Sequence, residues 1–201
     1  MTMKNVLLVR HGESAANAGL PTVTPEDIPL TEIGREQAEA VAKSIPFCPD
    51  MIISSPFLRA RQTAEPAVER FIGSRFGLWP KVREFTYLSP ASCIGTTVAD
   101  RKDRVEAYWN AADPDYVDGE GAESFRQFML RVDEVIKKLN DLSAKNIVLF
   151  THGQFMKALI LEQQNVNFRK SDIVGKMRLF REGKGFANGE VVWLEGVQAK
   201  Q

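Results

Sequence analysis

The chain holds two histidines, His11 and His152, and both stand in the same local setting. Each follows four apolar residues and one polar residue, Val6-Leu7-Leu8-Val9-Arg10 and Ile147-Val148-Leu149-Phe150-Thr151, and each precedes a glycine, Gly12 or Gly153. A neutral imidazole nitrogen can attack an electrophile or exchange a proton near neutral pH. Cleaving a phosphate monoester needs such a nucleophile, cationic donors around three oxygens, and a proton for the leaving oxygen. Arg10 and Arg59 offer planar cationic forks suited to an oxyanion, and Glu84 offers a carboxyl. Gly12 is expected to let the backbone approach a ligand, with the N–H groups of the following turn pointing inward.

These residues need elements that bring them together. Four consecutive branched or aromatic apolar residues indicate strands covered on both faces, as in a parallel sheet between helices. Ligands of such sheets bind beyond the carboxyl ends of the strands, so both imidazoles are expected in one cleft. Thr31 is a plausible N-cap for a helix with Ala38, Val41, Ala42 and Ile45 on one stripe. Met51-Ile52-Ile53 is a short strand, and Ser54-Ser55-Pro56 is expected to cap a helix with proline at its first position, running to about Arg70 and carrying Arg59. Lys81-Val82-Arg83 is expected to form a short strand just before Glu84. Phe85 to Gly121 is irregular, with helix signals at Arg104 to Asn110. From Ser124 onward, Phe125, Phe128, Met129, Val132, Val135, Ile136 and Leu139 keep helical spacing. Phe155 to Leu161 is expected to be helical, and Glu190 to Leu194, after Asn188-Gly189, a final strand. The order implies one α/β domain over residues 1–201, a three-layer α/β/α sandwich around a mostly parallel central sheet.

Composition excludes other classes. With 201 residues and 44% hydrophobic content the chain can build one sizeable core. Lys+Arg and Asp+Glu both number 26, so no global field draws nucleic acid or an anionic membrane, and anion selectivity must be local. Met1 to Val9 lacks a signal-peptide pattern and no apolar run reaches membrane-spanning length, which makes the cytoplasm the expected location. Cys48 and Cys93 lack metal-ligand spacing and are expected as unpaired packing residues. Two histidines with no carboxylate at ligand spacing give no expectation of a metal site.

Leu8-Val9-Arg10-His11-Gly12-Glu13-Ser14 with Asn17, Pro29-Leu30-Thr31-Glu32-Ile33-Gly34, Ser54-Ser55-Pro56-Phe57-Leu58-Arg59-Ala60-Arg61-Gln62-Thr63-Ala64, Gly121-Ala122-Glu123-Ser124-Phe125 and Thr151-His152-Gly153 follow one another in an order that resembles the histidine phosphatase superfamily, the phosphoglycerate mutase-like proteins. The resemblance implies that His11 is a nucleophile that becomes a phosphohistidine. It further implies that Arg10, Asn17, Arg59, His152 and Gly153 bind the phosphoryl group, and that Glu84 protonates the leaving oxygen and then activates water. The implied activity is a metal-independent and cofactor-free phosphoric monoester hydrolase of the histidine acid phosphatase type, acting on a small phosphorylated substrate. Mutase-type phosphoryl transfer is the alternative, although mutases of this kind are generally longer; a protein phosphohistidine phosphatase or a non-catalytic phospho-ligand module is a further one.

The chain departs from the family after Glu84. Members commonly continue with glycine and a Trp-Glu-Gly segment, whereas this chain reads Phe85-Thr86-Tyr87-Leu88-Ser89-Pro90. Residues 85–121 are therefore expected to form a cap or substrate-specificity segment. Arg101, Lys102 and Arg104 could read a second anionic group there, and Tyr87, Tyr108 and Trp109 could stack on a ring. A solvated helix start with its aromatics packed underneath is the preferred reading. Glu123 is an alternative acid, but beside Ser124 it reads more simply as helix entry.

Overall fold

In the computed structural model, residues 3–198 are described; Met1 and Thr2, which open the N-terminal stretch read above, lie outside them, as do residues 199–201. Five strands form one sheet in the order β3-β2-β4-β1-β5. They are β1 (Asn5–Arg10), β2 (Met51–Ser54), β3 (Arg75–Leu78), β4 (Asn146–Thr151) and β5 (Val191–Trp193). All neighbours pair in parallel except β1 and β5, which are antiparallel.

Side chains alternate across this sheet, and the two sets belong to two cores. Val6, Leu8, Ile147 and Leu149 join Phe125, Phe128, Phe155 and Phe180, carried by α4 (Phe125–Asp141), α5 (Gly153–Gln164) and α7 (Ile173–Glu182). Leu7, Val9, Val148 and Phe150 join Val41, Ala42, Ala64 and Ala67 of α1 (Glu32–Ser44) and α2 (Leu58–Arg70). Helices thus cover both faces, which is why β1 and β4 read as unbroken apolar runs and why the molecule is a three-layer α/β/α sandwich. Thr31 caps α1 through Gly34 N, and Ser124 forms a capping box with Gln127 at the start of α4.

Register decides where the histidines go. Arg10 stands opposite Thr151 in the β1–β4 ladder, so His11 and His152 leave the sheet side by side. From β1 the chain next returns as β2 on one side, whereas from β4 it returns as β5 beyond β1. The connections diverge between β1 and β4, the place where an open α/β sheet forms its crevice.

Several local expectations are corrected. Lys81-Val82-Arg83 is not a strand: Pro80–Val82 is a 3-10 turn, and the third strand is Arg75–Leu78. That strand lies on the sheet edge, is mostly exposed and contains Gly77, so neither alternation nor an apolar run marks it. The second helix begins at Leu58, two residues later than the Ser-Pro signal indicates, because Ser54 completes β2 and Ser55 Oγ accepts from Phe57 N while also meeting His152. Segment 85–121 contains a 3-10 turn at Pro90–Cys93 and α3 (Lys102–Ala111). Two helices escaped sequence reading, α6 (Val166–Lys170) and α7. Cys48 is exposed rather than packed, and Cys93 is half-buried on a cavity wall; both are free.

The turn after His11 is also built differently from expectation. Its N–H groups serve the protein: Gly12 N donates to Thr63 Oγ1 at 3.0 Å, Glu13 N to Gln37 Oε1 at 2.7 Å, and Ser14 N to Asn17 Oδ1 at 3.2 Å. The close approach that requires glycine is to α1, not to a ligand. A Cβ on Gly12 would lie 2.4 Å from Gly34 O, and one on Gly34 2.1 Å from Glu13 O, both backbone atoms. Gly34→Ala is expected to lower the unfolding free energy by at least about 2 kcal/mol in urea denaturation, since neither backbone can yield without moving the other. An unchanged midpoint would show that the turn absorbs the methyl.

Candidate active site

His11 sits at the mouth of the crevice with 4% of its surface exposed. Its Nδ1 lies 2.7 Å from Gly12 O, a partner that can only accept, so Nδ1 carries the proton. Arg59 Nε donates to Nε2 at 3.2 Å. The two contacts define one tautomer, with an unprotonated Nε2. Burial, together with the Arg59 and Arg10 cations, holds the His11 pKa well below its ordinary value and outweighs the Gly12 contact, which acts the other way.

His152 packs edge-on against His11, with ring centroids 5.2 Å apart and an interplanar angle of 63°. It is fully buried, its Nε2 is 2.8 Å from Ser55 Oγ, and its Nδ1 has no partner among the described residues. Ser55 reaches it because the β2–β4 register sets Ser54 opposite Phe150. Burial and the neighbouring Arg59 depress the His152 pKa as well.

Two guanidinium groups flank the rings. Arg59, the second residue of α2, is 7% exposed, donates from Nη1 to Pro25 O at 2.7 Å, and lies over the Phe57 ring. Burial lowers its pKa to about 10, so it remains a cation at neutral pH. Arg10 Nη1 donates to Phe186 O, and Arg10 Nε is buried without a partner. Asn17 Oδ1 accepts from Ser14 Oγ at 2.9 Å and from Asn188 Nδ2 at 3.0 Å, which leaves its amide nitrogen as the group to offer a ligand.

The Glu84 carboxylate receives three backbone N–H groups: Phe85 N at 2.9 Å and Phe155 N at 3.1 Å on Oε1, and Gln154 N at 3.2 Å on Oε2. Two of these donors belong to the first turn of α5, where orphan amides favour a carboxylate. Burial nevertheless raises the Glu84 pKa, against the lowering by these N–H groups and by Arg59. A carboxyl with a raised pKa, within one cavity of a neutral imidazole, is suited to proton transfer.

Arg10, His11, Asn17, Arg59 and Glu84 line a single cavity of about 270 Å³. His152 lies one ring deeper and Gly153 beside it; neither forms part of the wall, and a Cβ on Gly153 would stand 3.3 Å from Arg10 Nε. Glu123 is elsewhere: it bonds Arg131 Nε at 3.0 Å and Arg131 Nη2, while Arg131 Nη1 donates to Lys81 O and Arg83 O at 2.7 and 2.9 Å. This buried pair braces the turn that carries Glu84. Arg104 pairs with Asp118 and Lys102 is an exposed partner of Glu106, while Tyr108 and Trp109 pack among Phe85, Tyr87 and Phe180. Only Tyr87 and Arg101 of that set reach the cavity.

Sequence reasoning missed three supports. Ser55 orients His152, Thr63 accepts from Gly12 N and donates to Arg59 O at 2.6 Å, and Asn188 donates to His11 O and Gly12 O, each at 3.2 Å. Each lay within a stretch already read as a cap, helix or turn signal.

The buried imidazoles make stability depend on pH. Both folded pKa values lie below the ordinary 6.5, so below that value the unfolded chain binds more protons than the folded one. Stability present above pH 6.5 is expected to fall with acidification, by at most about 2.7 kcal/mol per pH unit for two groups. Glu84, held above 4.5, opposes this as the pH nears that value, one group against two. Urea denaturation from pH 8 to 5 checks the sign; a flat or rising stability would contradict the neutral pair.

The model of the histidine phosphatase superfamily (branch 1) matches residues 6–173. A protein described as a probable phosphoglycerate mutase in Photorhabdus laumondii is 41% identical over 83 residues, covering 41% of this chain but only 38% of that protein's length. One described as a probable phosphatase in Schizosaccharomyces pombe is 28% identical over 180 residues, 87% of this chain and 82% of that protein. The solved structure of the alpha-ribazole phosphatase from Shigella flexneri shares the fold with a TM-score of 0.71 over 98% of each chain, at 20% identity. Among the described residues no helix is long and apolar enough to cross a membrane.

Proposed function

The chain belongs to the histidine phosphatase superfamily, branch 1, and from that premise we propose that it is a metal-independent phosphoric monoester hydrolase acting on a small phosphorylated substrate. The observation that carries this reading is the unprotonated His11 Nε2, fixed by Gly12 O and Arg59 Nε, in one cavity with Glu84, a carboxyl whose pKa burial raises. Nε2 attacks phosphorus and forms the N–P bond as the P–O ester bond breaks, and Glu84 gives its proton to the leaving alkoxide. The Glu84 carboxylate then takes a proton from water, whose oxygen displaces His11 and releases phosphate. Arg10, Arg59, the Asn17 amide and His152 Nδ1 hold the phosphoryl oxygens.

Metal independence is part of this proposal, and the chelator arm of the experiment below tests it. The histidine acid phosphatase type and a cytoplasmic setting, in keeping with two free cysteines, are part of the same proposal. The similarity to the Photorhabdus protein favours a second reading, in which the phosphoryl group returns to the substrate instead of passing to water. Incubation with 4-nitrophenyl phosphate and 3-phosphoglycerate, with and without a chelator, tests both. Phosphate release undiminished by the chelator is expected. Isomerisation without net phosphate release, or a requirement for divalent metal, would overturn the hydrolase reading.

A further inference from the structure

Beyond the phosphoryl-binding end, the cavity wall is apolar. Ile28 and Phe57 come from the N-terminal half, and Phe85, Leu88, Pro90 and Val98 from the segment after Glu84. Phe85 is held by rings on several sides, including Tyr87 at 5.3 Å and a stacked Phe128 at 4.3 Å, so this part of the wall is in place before any ligand arrives.

Several of the polar atoms along it are already engaged. Ser14 Oγ donates to Asn17, and Thr86 Oγ1 donates to Glu84 O at 3.4 Å. Besides Arg10 and Arg59, the described lining holds one more cation, Arg101. Its Nη1 is spent on Thr96 Oγ1 at 2.6 Å, Thr96 O at 2.8 Å and Thr22 Oγ1 at 3.2 Å, which ties the loop bearing Val98 to residue 22. Arg101 works there as a strut. Gln154, whose backbone N–H holds Glu84, keeps one side-chain acceptor, Oε1, without a partner among the described residues.

We propose that the substrate is the phosphate monoester of an apolar alcohol, alkyl or aryl, rather than of a sugar or an alcohol bearing a second anionic group. This rests on the phosphomonoesterase reading. An apolar leaving group loses little by leaving water and gains the wall, whereas hydroxyls or a carboxylate would surrender their water and find few free partners.

The test uses ethyl, butyl and hexyl phosphates, whose leaving groups share nearly one pKa and so demand the same proton transfer, with glycerol phosphate as the polar comparison. kcat/KM is expected to rise about threefold to fourfold per methylene until the wall is covered, and to exceed that for glycerol phosphate. The matching alkylphosphonates, which cannot be hydrolysed, are titrated in parallel by calorimetry. Val98→Asn, at a residue 58% exposed and therefore tolerant of change, is expected to flatten both series. Phosphonate affinity that climbs with chain length in the absence of any phosphate release would leave the apolar wall standing and remove the hydrolase reading. A flat phosphonate series, or glycerol phosphate outperforming butyl phosphate, would overturn the apolar substrate class while 4-nitrophenyl phosphate turnover kept the hydrolase.

Discussion

Replacing His11 by alanine is expected to lower kcat/KM on every phosphate monoester by at least about 10⁴-fold, because no other group can form the N–P bond. The fold should survive the change. The Gly12 carbonyl that loses the imidazole keeps Asn188 Nδ2, and the β1–β4 junction is closed by the backbone bond from His11 N to Thr151 O at 3.0 Å. His152 does not take over in this scheme, since its Nε2 is committed to Ser55 and its Nδ1 serves as a proton-bearing donor to the phosphoryl oxygens. Phosphate release, read beside the urea midpoint, checks both halves. A second readout is the acid-labile phosphoenzyme, which should accumulate in the parent protein during rapid mixing with 4-nitrophenyl phosphate and be absent from His11→Ala. Retained turnover, or a phosphoenzyme in the variant, would remove His11 from the nucleophile role.

Glu84→Gln separates the two proton transfers. Alkyl phosphates expel a strongly basic alkoxide and need the proton in the transition state, so their turnover is expected to fall about 10²- to 10⁴-fold. 4-Nitrophenyl phosphate expels a stable phenolate, so its first step should be far less affected. Water activation still requires a base, and the variant should therefore give a burst of one equivalent of nitrophenol followed by slow turnover. In the parent protein the sign with pH follows from the same group. The first step needs Glu84 protonated and His11 neutral, so kcat/KM for an alkyl phosphate should rise as His11 loses its proton. It should then decline as the pH passes the Glu84 value, which burial keeps above 4.5. With the nitrophenyl ester the alkaline decline should disappear. Equal losses on both substrates, without a burst, would point to a different acid.

Glutamine suits this test because it preserves the setting. The carboxylate of Glu84 caps the first turn of α5, and an amide oxygen can accept at least part of what Oε1 now accepts from Phe85 N and Phe155 N. Alanine would leave those buried donors unpaired and mix a stability loss of about 1–3 kcal/mol into the kinetics.

The parts legible in the sequence were those encoded locally. Two apolar runs announced strands covered on both faces; Thr31 announced a helix start; the spacing of Phe125, Phe128, Val132 and Val135 from Ser124 onward announced the inner face of α4. The edge strand Arg75–Leu78 stayed hidden because an exposed four-residue strand needs no apolar pattern, and the Ser-Pro signal misplaced the helix start because Ser55 Oγ accepts from Phe57 N, just before Leu58, as well as meeting His152.

By itself, the sequence determined the two strands that the histidines follow and the helices with marked caps or apolar spacing, since these signals act over a few residues. Only the tertiary structure decided that His11 meets His152, because a register between residues 141 apart is set by packing on both faces of the sheet. It likewise separated two acids that no local pattern distinguishes: Glu123 is neutralised by Arg131 in a buried pair, while Glu84 turns into the cavity onto the first turn of α5. The tautomer of His11 belongs to the same level, for it depends on one carbonyl and one guanidinium that folding brings to opposite nitrogens of a single ring.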